Sequence, residues 1–256
     1  MSRIAFVQKN LYEHLGPMVL SSYLTKNKHR VEMFVSEGEK DIIKAIEEYK
    51  PDIIAFSCAT GEQIWALKIA KVLKRKLGVF VIFGGPHPSF SSSLIKPDCV
   101  DSICVGEGEG ALLELANALD ANEDITKIKN LWIKKDGQIY KNEMRPLIED
   151  LDSLPFPDRQ LYLKYPTLKS LTTKRFMAGR GCPYACSFCY NANYRSMLKG
   201  KGRYVRKMSP ERMIAEIKDA MWNVRMDTVR FSDNTFTADR KWTMDFLKQY
   251  KEKIDL

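Results

Sequence analysis

The chain of 256 residues lacks any apolar run that approaches the roughly 20 residues needed to span a bilayer. Its first apolar segment, Ile4 to Val7, is too short for the hydrophobic part of a signal peptide and is typical of a first strand. Histidine is scarce, and all three histidines lie far upstream of the cysteine cluster that begins at Cys182. Internal repeats and low-complexity tracts are absent too. We therefore expect one or two ordinary globular domains.

Charge is unbalanced, since 41 basic and 32 acidic residues give a formal net charge of +9. The densest basic stretch runs from Arg195 to Lys207 around two glycines. We interpret this stretch as a solvated loop. A polyanionic substrate, or the carboxylate and phosphate groups of a cofactor, are the alternatives, and nucleic acid is a weaker candidate.

Three of the six cysteines, Cys182, Cys186 and Cys189, form a C-x3-C-x2-C pattern on a loop with glycine and proline. Three thiolates on one short loop can hold three irons of a [4Fe–4S] cluster. No cysteine follows Cys189, so the fourth iron would take an exogenous ligand. Zinc is one alternative, but it needs a fourth nitrogen or sulfur ligand that this region does not offer. Ordinary buried cysteines are the other alternative.

The other three cysteines, Cys58, Cys99 and Cys104, fall in apolar or strand-like surroundings. They are predicted to be reduced thiols in the core. Reduced thiols and an iron–sulfur cluster both favour a reducing cytoplasm as the location of the protein.

Short apolar runs alternate with helical patterns over residues 1–120, which predicts an α/β fold with a doubly wound parallel sheet. Five strands are expected, at 4–7, 31–35, 53–56, 79–83 and 102–105. The segment Thr60 to Gln63 has the form of a capping box, with Thr60 as N-cap of a helix that Gly78 ends. The first domain is predicted to span residues 1–125.

A hairpin that turns at Asp136-Gly137 and a proline-containing connector are expected within residues 126–171. From residue 172 the pattern restarts with two strand–helix units, the second strand at Thr228 to Phe231. A closed β/α barrel needs more strands than two. Residues 172–256 are therefore predicted to form a partial, truncated β/α barrel with an exposed inner edge.

Four loops should share the carboxyl edge of the first sheet, where open parallel sheets bind ligands. They are residues 8–17, 57–61, 84–89 and 106–110, and three of them hold two glycines or a Gly-Pro pair. No acid–base or nucleophile–base pair can be assembled from them. The pattern indicates binding rather than catalysis, and no catalytic residue is identified.

The segment Gly179 to Tyr190 resembles the signature of the radical S-adenosylmethionine superfamily. The resemblance implies that the open iron chelates S-adenosylmethionine and that reductive cleavage yields a 5′-deoxyadenosyl radical. It places Phe188 near the adenine, and Asp233 and Asn234 near the amino group of S-adenosylmethionine. An N-cap cluster for the helix near Asp239 is the alternative for the last two residues.

Residues 1–120 resemble the cobalamin-binding domain that precedes the radical domain in many of these enzymes. The segments Tyr12 to Pro17, Gly84 to Pro88 and Val105 to Glu109 carry the likeness, and Leu151 to Asp158 resembles the family linker. The implied cobalamin contacts are Tyr12, Glu13, His14, Ser57, Thr60, Gly84, Gly85, His87, Gly106 and Glu107. Corrinoid domains that ligate cobalt use Asp-x-His-x-x-Gly, and this chain has Tyr12 near the aspartate position and a spacing one residue short. We therefore expect cobalamin to bind without ligation by His14.

The resemblance implies an enzyme with three cofactors: a [4Fe–4S] cluster, S-adenosylmethionine and cobalamin. Methylation of an unactivated carbon, or a radical cyclisation or rearrangement, is the expected reaction on a small-molecule substrate. An electron donor such as flavodoxin or ferredoxin is the implied partner. The alternatives are a cobalamin-independent enzyme that modifies RNA or protein, and a non-enzymatic corrinoid or iron–sulfur protein.

Overall fold

The computed structural model describes all residues from 1 to 256, and the chain divides into two compact units, Met1–Arg145 and Pro146–Leu256. Each unit has its own sheets and helices. No helix in the chain is both long and apolar enough to cross a membrane.

The first unit is built on a seven-stranded sheet in the order β2-β1-β3-β4-β5-β6-β7. Its strands are β1 Arg3–Gln8, β2 Arg30–Val35, β3 Ile53–Ser57, β4 Phe80–Gly84, β5 Ser102–Cys104, β6 Leu131–Lys135 and β7 Gln138–Lys141. The first five are parallel, and β6 and β7 are antiparallel. The five predicted strands are confirmed, because strands buried on both faces read as continuous apolar runs.

Five helices cover this sheet: α1 Leu15–Lys26, α2 Ile42–Tyr49, α3 Gln63–Leu77, α4 Pro86–Phe90 and α5 Glu109–Asp120. Helix α1 packs against α5 and α2 packs against α3, as a doubly wound sheet requires. Between the layers, Phe56 and Phe83 on neighbouring strands stack at 4.7 Å. Gly78 ends α3 with a φ of 66°, as predicted.

The predicted capping box at Thr60 is wrong. The N-cap of α3 is Glu62, and the Glu62 carboxylate accepts a hydrogen bond from the backbone N–H of Ala59 at 2.8 Å. The Thr60 hydroxyl instead lies 3.1 Å from Nδ1 of His87, a residue far along the chain. The Thr60 hydroxyl is therefore engaged in a tertiary contact and does not cap the helix as the local pattern predicts.

The hairpin turns where predicted, with φ values of 50° at Asp136 and 75° at Gly137. It is part of the first sheet, because β6 pairs with the free edge of β5. Leu131 and Ile133 on β6 are fully buried, which stabilises this pairing by about 1.5–3 kcal/mol per side chain. The first unit therefore extends to Arg145, past the predicted boundary at residue 125, and its sheet is mixed.

The second unit contains two small sheets. Strands β8 Thr173–Phe176 and β11 Thr228–Phe231 pair in parallel, and β9 Gly179–Arg180 pairs antiparallel with β10 Arg206–Lys207. Its helices are α6 Pro166–Lys169, α7 Tyr190–Met197, α8 Pro210–Asn223 and α9 Arg240–Lys253. The two predicted strand–helix units are confirmed, and two parallel strands do not close a barrel.

The long helices α8 and α9 cover one face of the β8–β11 pair. The Ser209 hydroxyl accepts a hydrogen bond from the N–H of Arg212 and caps α8, while Asp239 caps α9. Phe176, Met213, Ile217 and Phe246 form the centre of the core between these elements.

The proline-containing segment before β8 packs onto α8. Arg159 and Glu216 are both buried and lie 3.5 Å apart, and Arg212 donates to the carbonyl of Leu154 at 2.9 Å. Burial raises the pKa of Glu216, and the two arginines oppose that rise. This segment therefore belongs to the second unit, whereas the sequence grouped it with the hairpin as a connector.

Candidate functional site

Four loops of the first unit meet at the carboxyl edge of its sheet, because β1, β3, β4 and β5 are parallel and end there. The strand order reverses between β1 and β3, since β2 lies on one side of this pair and β4 and β5 on the other. Such a switch point opens a crevice between the flanking loops. The predicted cobalamin residues lie on these four loops.

The loop after β1 is held in shape by Gln8, whose side-chain amide donates to the carbonyls of Asn10 and Tyr12, each at 2.7 Å. The Tyr12 ring meets the His14 ring edge-on at 4.9 Å. Glu13 is buried. Burial lowers the pKa of His14 and Glu62 opposes this, so the imidazole is neutral at pH 7.

The loops after β3 and β4 are joined by backbone hydrogen bonds through Cys58. Its N–H donates to the carbonyl of Gly84 at 2.9 Å, and its carbonyl accepts from the N–H of His87 at 3.0 Å. Together with the Thr60–His87 contact, these bonds bring five predicted residues close together. These five are Ser57, Thr60, Gly84, Gly85 and His87.

Gly84 and Gly85 differ in the atoms that an added side chain would contact. At Gly85 the φ is 93°, and a Cβ atom would lie 3.0 Å from the backbone N and O of Cys58. Gly85 is therefore needed by the fold itself. At Gly84 a Cβ atom would meet only the Cβ of Cys104, at an ordinary 3.8 Å. A substitution at Gly84 can therefore test ligand binding at this loop, because the added Cβ atom does not disturb the backbone.

The loop after β5 is organised by Asn130, which sequence reasoning missed. Its amide donates to the carbonyls of Val105 at 3.0 Å and Glu107 at 2.9 Å, and its Oδ1 accepts from the N–H of Arg145 at 2.6 Å. Gly106 has a φ of 92° and approaches this amide closely. A lone asparagine before a strand gives no local signal of this role.

The cysteine loop lies between β9 and α7, and none of its three thiols is in a disulfide. Cys182 is buried, Cys186 is exposed and Cys189 is half-buried. The N–H of Cys189 donates to the carbonyl of Cys186 at 3.0 Å, and the Asn191 amide lies 3.5 Å from the Cys189 sulfur. Arg195 donates to the carbonyl of Pro183 at 3.3 Å and ties α7 back to the loop.

The loop fits a [4Fe–4S] cluster by its donor set, which is three thiols on one segment and no fourth cysteine. No group of three or more His, Cys, Asp or Glu side chains surrounds a single point that could hold one metal ion. A cluster does not require such convergence, since each thiolate binds a different iron.

Asp233 joins the ends of β8 and β11. Its carboxylate accepts a hydrogen bond from the N–H of Ala178 at 3.0 Å. Burial raises the pKa of Asp233, and the hydrogen bond from Ala178 and the charge of Lys207 oppose the rise. Asp239, and not Asp233, caps α9, so the N-cap alternative for Asp233 and Asn234 is wrong.

The other two residues predicted near S-adenosylmethionine, Phe188 and Asn234, are exposed, and the Phe188 side chain is 93 % accessible. Next to them, Thr235 has a φ of 88°, which is a strained conformation for a β-branched residue. Sequence reasoning also missed Lys207, whose ammonium lies 4.2 Å from the centre of the Trp242 ring and donates to the carbonyl of Phe236.

Two family models match the chain. Residues 4–116 match the B12 binding domain, and residues 177–255 match the radical SAM superfamily. These ranges contain the four loops and the cysteine loop. The chain belongs to the radical S-adenosylmethionine (SAM) enzymes that carry a cobalamin-binding domain.

Relatives of this radical SAM protein include methyltransferases and cyclases. An uncharacterized methyltransferase from Pyrococcus horikoshii is 30 % identical over 250 residues, which are 93 % of this chain and 53 % of the relative. The cobalamin-dependent radical SAM methyltransferase TokK of Streptomyces tokunonensis is 28 % identical over 88 % of this chain and 34 % of its own. An anaerobic magnesium-protoporphyrin IX monomethyl ester cyclase of Synechocystis is 24 % identical over 72 % of this chain and 39 % of its own.

Solved structures share the fold. The cobalamin-dependent radical SAM enzyme OxsB, with aqua-cobalamin and S-adenosylmethionine bound, superimposes with a TM-score of 0.79 at 19 % identity. This match covers 100 % of this chain and 38 % of OxsB. The chain thus spans about half or less of the relatives that it matches. The three cofactors predicted from the sequence are those of this family, which favours the cluster over zinc at the cysteine loop.

Asp233 accepts a hydrogen bond from Ala178 and is predicted to contact S-adenosylmethionine, and one substitution separates these two roles. We expect Asp233→Asn to keep the hydrogen bond from Ala178, because an amide oxygen still accepts it, and to lower the affinity for S-adenosylmethionine about tenfold by loss of a charge-assisted hydrogen bond. The affinity of the wild-type protein for S-adenosylmethionine should also decrease as the pH is lowered, because protonation of Asp233 removes its charge. Since the pKa of Asp233 is raised, this decrease should begin at a higher pH than for an ordinary carboxyl group. Equilibrium binding at several pH values measures both effects.

Asp239→Asn is the matched control, because Asp239 lies on the same segment and its side chain caps α9. Its affinity for S-adenosylmethionine should equal that of the wild-type protein. Equal affinities for Asp233→Asn and the wild-type protein would remove Asp233 from the site.

Proposed function

We propose that this radical SAM protein methylates an unactivated carbon of a small molecule, with radical cyclisation or rearrangement as the second candidate. The observation that carries the proposal is the presence, in one chain, of a three-cysteine loop and a sheet edge with four converging loops. The cysteine loop has the ligands for a cluster with one open iron. The four loops present protein backbone that could surround a planar cofactor on several sides. Relatives that are named methyltransferases support the first reaction, and relatives named cyclases support the second.

Cys182, Cys186 and Cys189 would hold the [4Fe–4S] cluster, which when bound supplies the electron that cleaves the sulfonium of S-adenosylmethionine. Gly181, with a φ of 86°, keeps the backbone before Cys182 close to the carbonyl of Tyr204. The Tyr204 hydroxyl in turn donates to Asn191 at 3.0 Å, and the Asn191 amide faces the Cys189 sulfur. We infer that this chain of contacts orients the thiol of Cys189.

The loops after β1, β3, β4 and β5 would hold cobalamin, the cofactor that supplies methyl-group chemistry when bound. The backbone link between Cys58, Gly84 and His87 fixes two of these loops relative to each other. The neutral imidazole of His14, packed against Tyr12, contributes surface and not charge to that crevice.

A one-electron donor such as flavodoxin or ferredoxin is the proposed partner. Reductive cleavage of S-adenosylmethionine consumes an electron that the chain itself cannot generate. The net charge of +9 would favour an acidic donor, since complementary charge raises association rates.

Product analysis distinguishes the two candidate reactions. Methyl transfer converts one S-adenosylmethionine to S-adenosylhomocysteine for each methyl group delivered, whereas cyclisation leaves the methyl group on methionine. We expect the reduced, cofactor-loaded protein to form S-adenosylhomocysteine and 5′-deoxyadenosine together, with S-adenosylhomocysteine formation dependent on added cobalamin. Formation of 5′-deoxyadenosine alone would favour the cyclase. Yields of both products that are the same with and without added cobalamin would favour the cobalamin-independent alternative.

A further inference from the structure

The segment that contains the cysteine loop has no acidic residue over a long interval. Aspartate and glutamate make up 32 of the 256 residues, yet none lies between Asp158 and Glu211. Twelve of the 41 lysines and arginines lie in this interval, so the rest of the chain has fewer basic than acidic residues. The net positive charge of the chain is therefore concentrated around the cysteine loop, in the second unit.

The accessible part of this charge lies on α7 and on the turn that follows it. Four cations form what we call the basic patch, and they are Arg195, Lys199, Lys201 and Arg203. Arg195, Lys199 and Arg203 are exposed, and Lys201 is half-buried. Arg206, by contrast, is buried and donates to the carbonyl of Ile148 at 2.7 Å. The patch therefore offers its charge to the solvent, whereas Arg206 supports the fold.

Helix α7 connects the basic patch to the cysteine loop. Cys189 is the N-cap of α7, and Arg195 in the last turn of α7 donates to the carbonyl of Pro183 at 3.3 Å. The eight residues of α7 span about 12 Å. Lys199 and Lys201, in the turn after α7, thus lie roughly one short helix away from Cys189.

After this turn the chain packs back along α7. The Tyr204 ring meets the Tyr194 ring edge-on at 6.1 Å, and the Tyr204 hydroxyl donates to Asn191 at 3.0 Å. Strand β10 then pairs with β9, which precedes the cysteine loop. The basic stretch, which the sequence analysis interpreted as a solvated loop, is therefore held in a defined place next to the three cysteines.

The cations of the basic patch differ in whether a carboxylate offsets their charge. Glu149 lies 3.1 Å from Nε of Arg203 and also accepts from the Arg203 backbone N–H at 2.8 Å. Lys199 and Lys201 form no ion pair in the structure. These two ammonium groups are thus available to a negatively charged partner.

We propose that the basic patch is the docking surface for a small acidic carrier protein that delivers one electron to the cluster. The proposal rests on the proposed function, which requires that electron. The carrier would lose one electron and the cluster would gain it, and this transfer becomes much slower as the distance between the two groups grows. A docking surface for the carrier therefore has to lie close to the cysteine loop, as the basic patch does.

Charge and size both suit such a partner. Complementary charge steers a partner to the correct surface and raises the rate of association. Electron-transfer complexes are short-lived and bury less than about 1,200 Å² in total. A few exposed cations on one helix and its following turn are enough for a contact of this kind.

An RNA strand would also be attracted by lysines and arginines. Proteins that bind single strands usually combine such cations with aromatic rings that stack on the bases. Residues 195–203 contain no aromatic residue, and the nearby rings of Tyr194 and Tyr204 pack against each other. These observations favour the acidic protein over RNA.

The comparison of two reductants tests the proposal on the cluster-loaded protein. Reduced flavodoxin needs a docking surface, whereas dithionite, a small chemical reductant, does not. We expect the double variant Lys199→Glu/Lys201→Glu to need about tenfold more flavodoxin for the half-maximal rate of 5′-deoxyadenosine formation, because attraction is replaced by repulsion. Its rate with dithionite should equal that of the wild-type protein. High salt should reduce the difference with flavodoxin, since exposed charges are screened.

Lys248→Glu/Lys251→Glu is the matched control. Both lysines are exposed near the end of α9, outside the acid-free segment, and the variant changes the net charge by the same amount. It should respond to flavodoxin like the wild-type protein. If Lys199→Glu/Lys201→Glu has a lowered unfolding midpoint, Lys199→Gln/Lys201→Gln, which only removes the charges, decides the outcome.

Two results would overturn the proposal. One is the same dependence on flavodoxin in the wild-type protein and in a folded variant of Lys199 and Lys201. The other is a wild-type protein that reacts with dithionite but accepts electrons from neither flavodoxin nor ferredoxin.

Binding of oxidised flavodoxin, measured by titration calorimetry at low ionic strength, separates this proposal from the proposed function. Binding requires no cleavage of S-adenosylmethionine, so failure of the radical chemistry would appear as no 5′-deoxyadenosine with dithionite. Weaker flavodoxin binding by Lys199→Glu/Lys201→Glu than by the control variant would still support the docking surface. A single-stranded RNA oligonucleotide is titrated in parallel. Loss of RNA binding in this variant, with unchanged flavodoxin binding, would assign the basic patch to RNA and overturn the proposal.

Discussion

Replacement of Cys182, Cys186 or Cys189 by alanine is expected to abolish reductive cleavage of S-adenosylmethionine and to lower the iron content of the reconstituted protein. Each thiolate holds a different iron, so no remaining cysteine of the loop can substitute for the lost one. Because no fourth cysteine follows Cys189, the chain also has no neighbouring reserve ligand. Formation of 5′-deoxyadenosine, measured after anaerobic reduction, gives the result directly.

Cys99→Ala is the matched control for this experiment. Cys99 is a buried thiol of the first unit, outside the cysteine loop, and burial raises its pKa so that it stays protonated. Its variant should retain full iron content and activity. Undiminished 5′-deoxyadenosine formation by the triple alanine variant of the loop would eliminate the cluster from the mechanism.

Introduction of a bulky side chain at Gly84 is expected to weaken cobalamin binding by at least about tenfold, which corresponds to 1.4 kcal/mol. A Cβ atom is tolerated there, so Gly84→Ala should fold normally, and the longer side chain of Gly84→Leu is expected to occupy space that the family resemblance assigns to the cofactor. Gly85 cannot serve this purpose, because its positive φ and its contact with Cys58 make any substitution a folding defect. Titration with hydroxocobalamin, followed by absorbance, measures the affinities.

His14→Ala is the contrasting variant in the same experiment. We expect it to leave the affinity nearly unchanged and to leave the spectrum of cobalt(II) without nitrogen splitting from a protein histidine, as in the wild-type protein. Splitting that is present in the wild-type protein and absent in His14→Ala would make His14 the cobalt ligand. If wild-type protein shows no affinity even at micromolar cobalamin, the cobalamin-independent alternative is preferred.

Much of the fold could be predicted from local patterns. The apolar runs of β1 to β5 are continuous because both faces of these strands are buried. The helix starts at Ser209 and Asp239 can be read from the sequence, because each cap is a contact within one turn. The turn at Asp136-Gly137 was readable for the same reason, since both residues adopt positive φ.

What local patterns missed depends on partners that are distant in the sequence. The N-cap of α3 is Glu62 and not Thr60, whose hydroxyl lies beside His87. The hairpin joined the first sheet because the edge of β5 was free, which no pattern within the hairpin reveals. Helix α7 was missed because its sequence is polar and its packing comes from Arg195 and Tyr204.

The candidate site divides in the same way. The cysteine spacing and the glycine-bearing loops were visible in the sequence, because the chemistry requires those residue types at short separations. The supporting contacts of Asn130 and Lys207 were not visible, because each joins segments that are distant in the sequence. The roles of the individual cobalamin and S-adenosylmethionine residues stay predictions.

The electron paramagnetic resonance spectrum of the anaerobically reconstituted and reduced protein tests the central claim most directly. We expect the signal of a reduced [4Fe–4S] cluster that changes when S-adenosylmethionine is added, because the ligand would bind the iron that no cysteine would hold. A protein that binds one zinc tightly, takes up no iron and gives no such signal would contradict it.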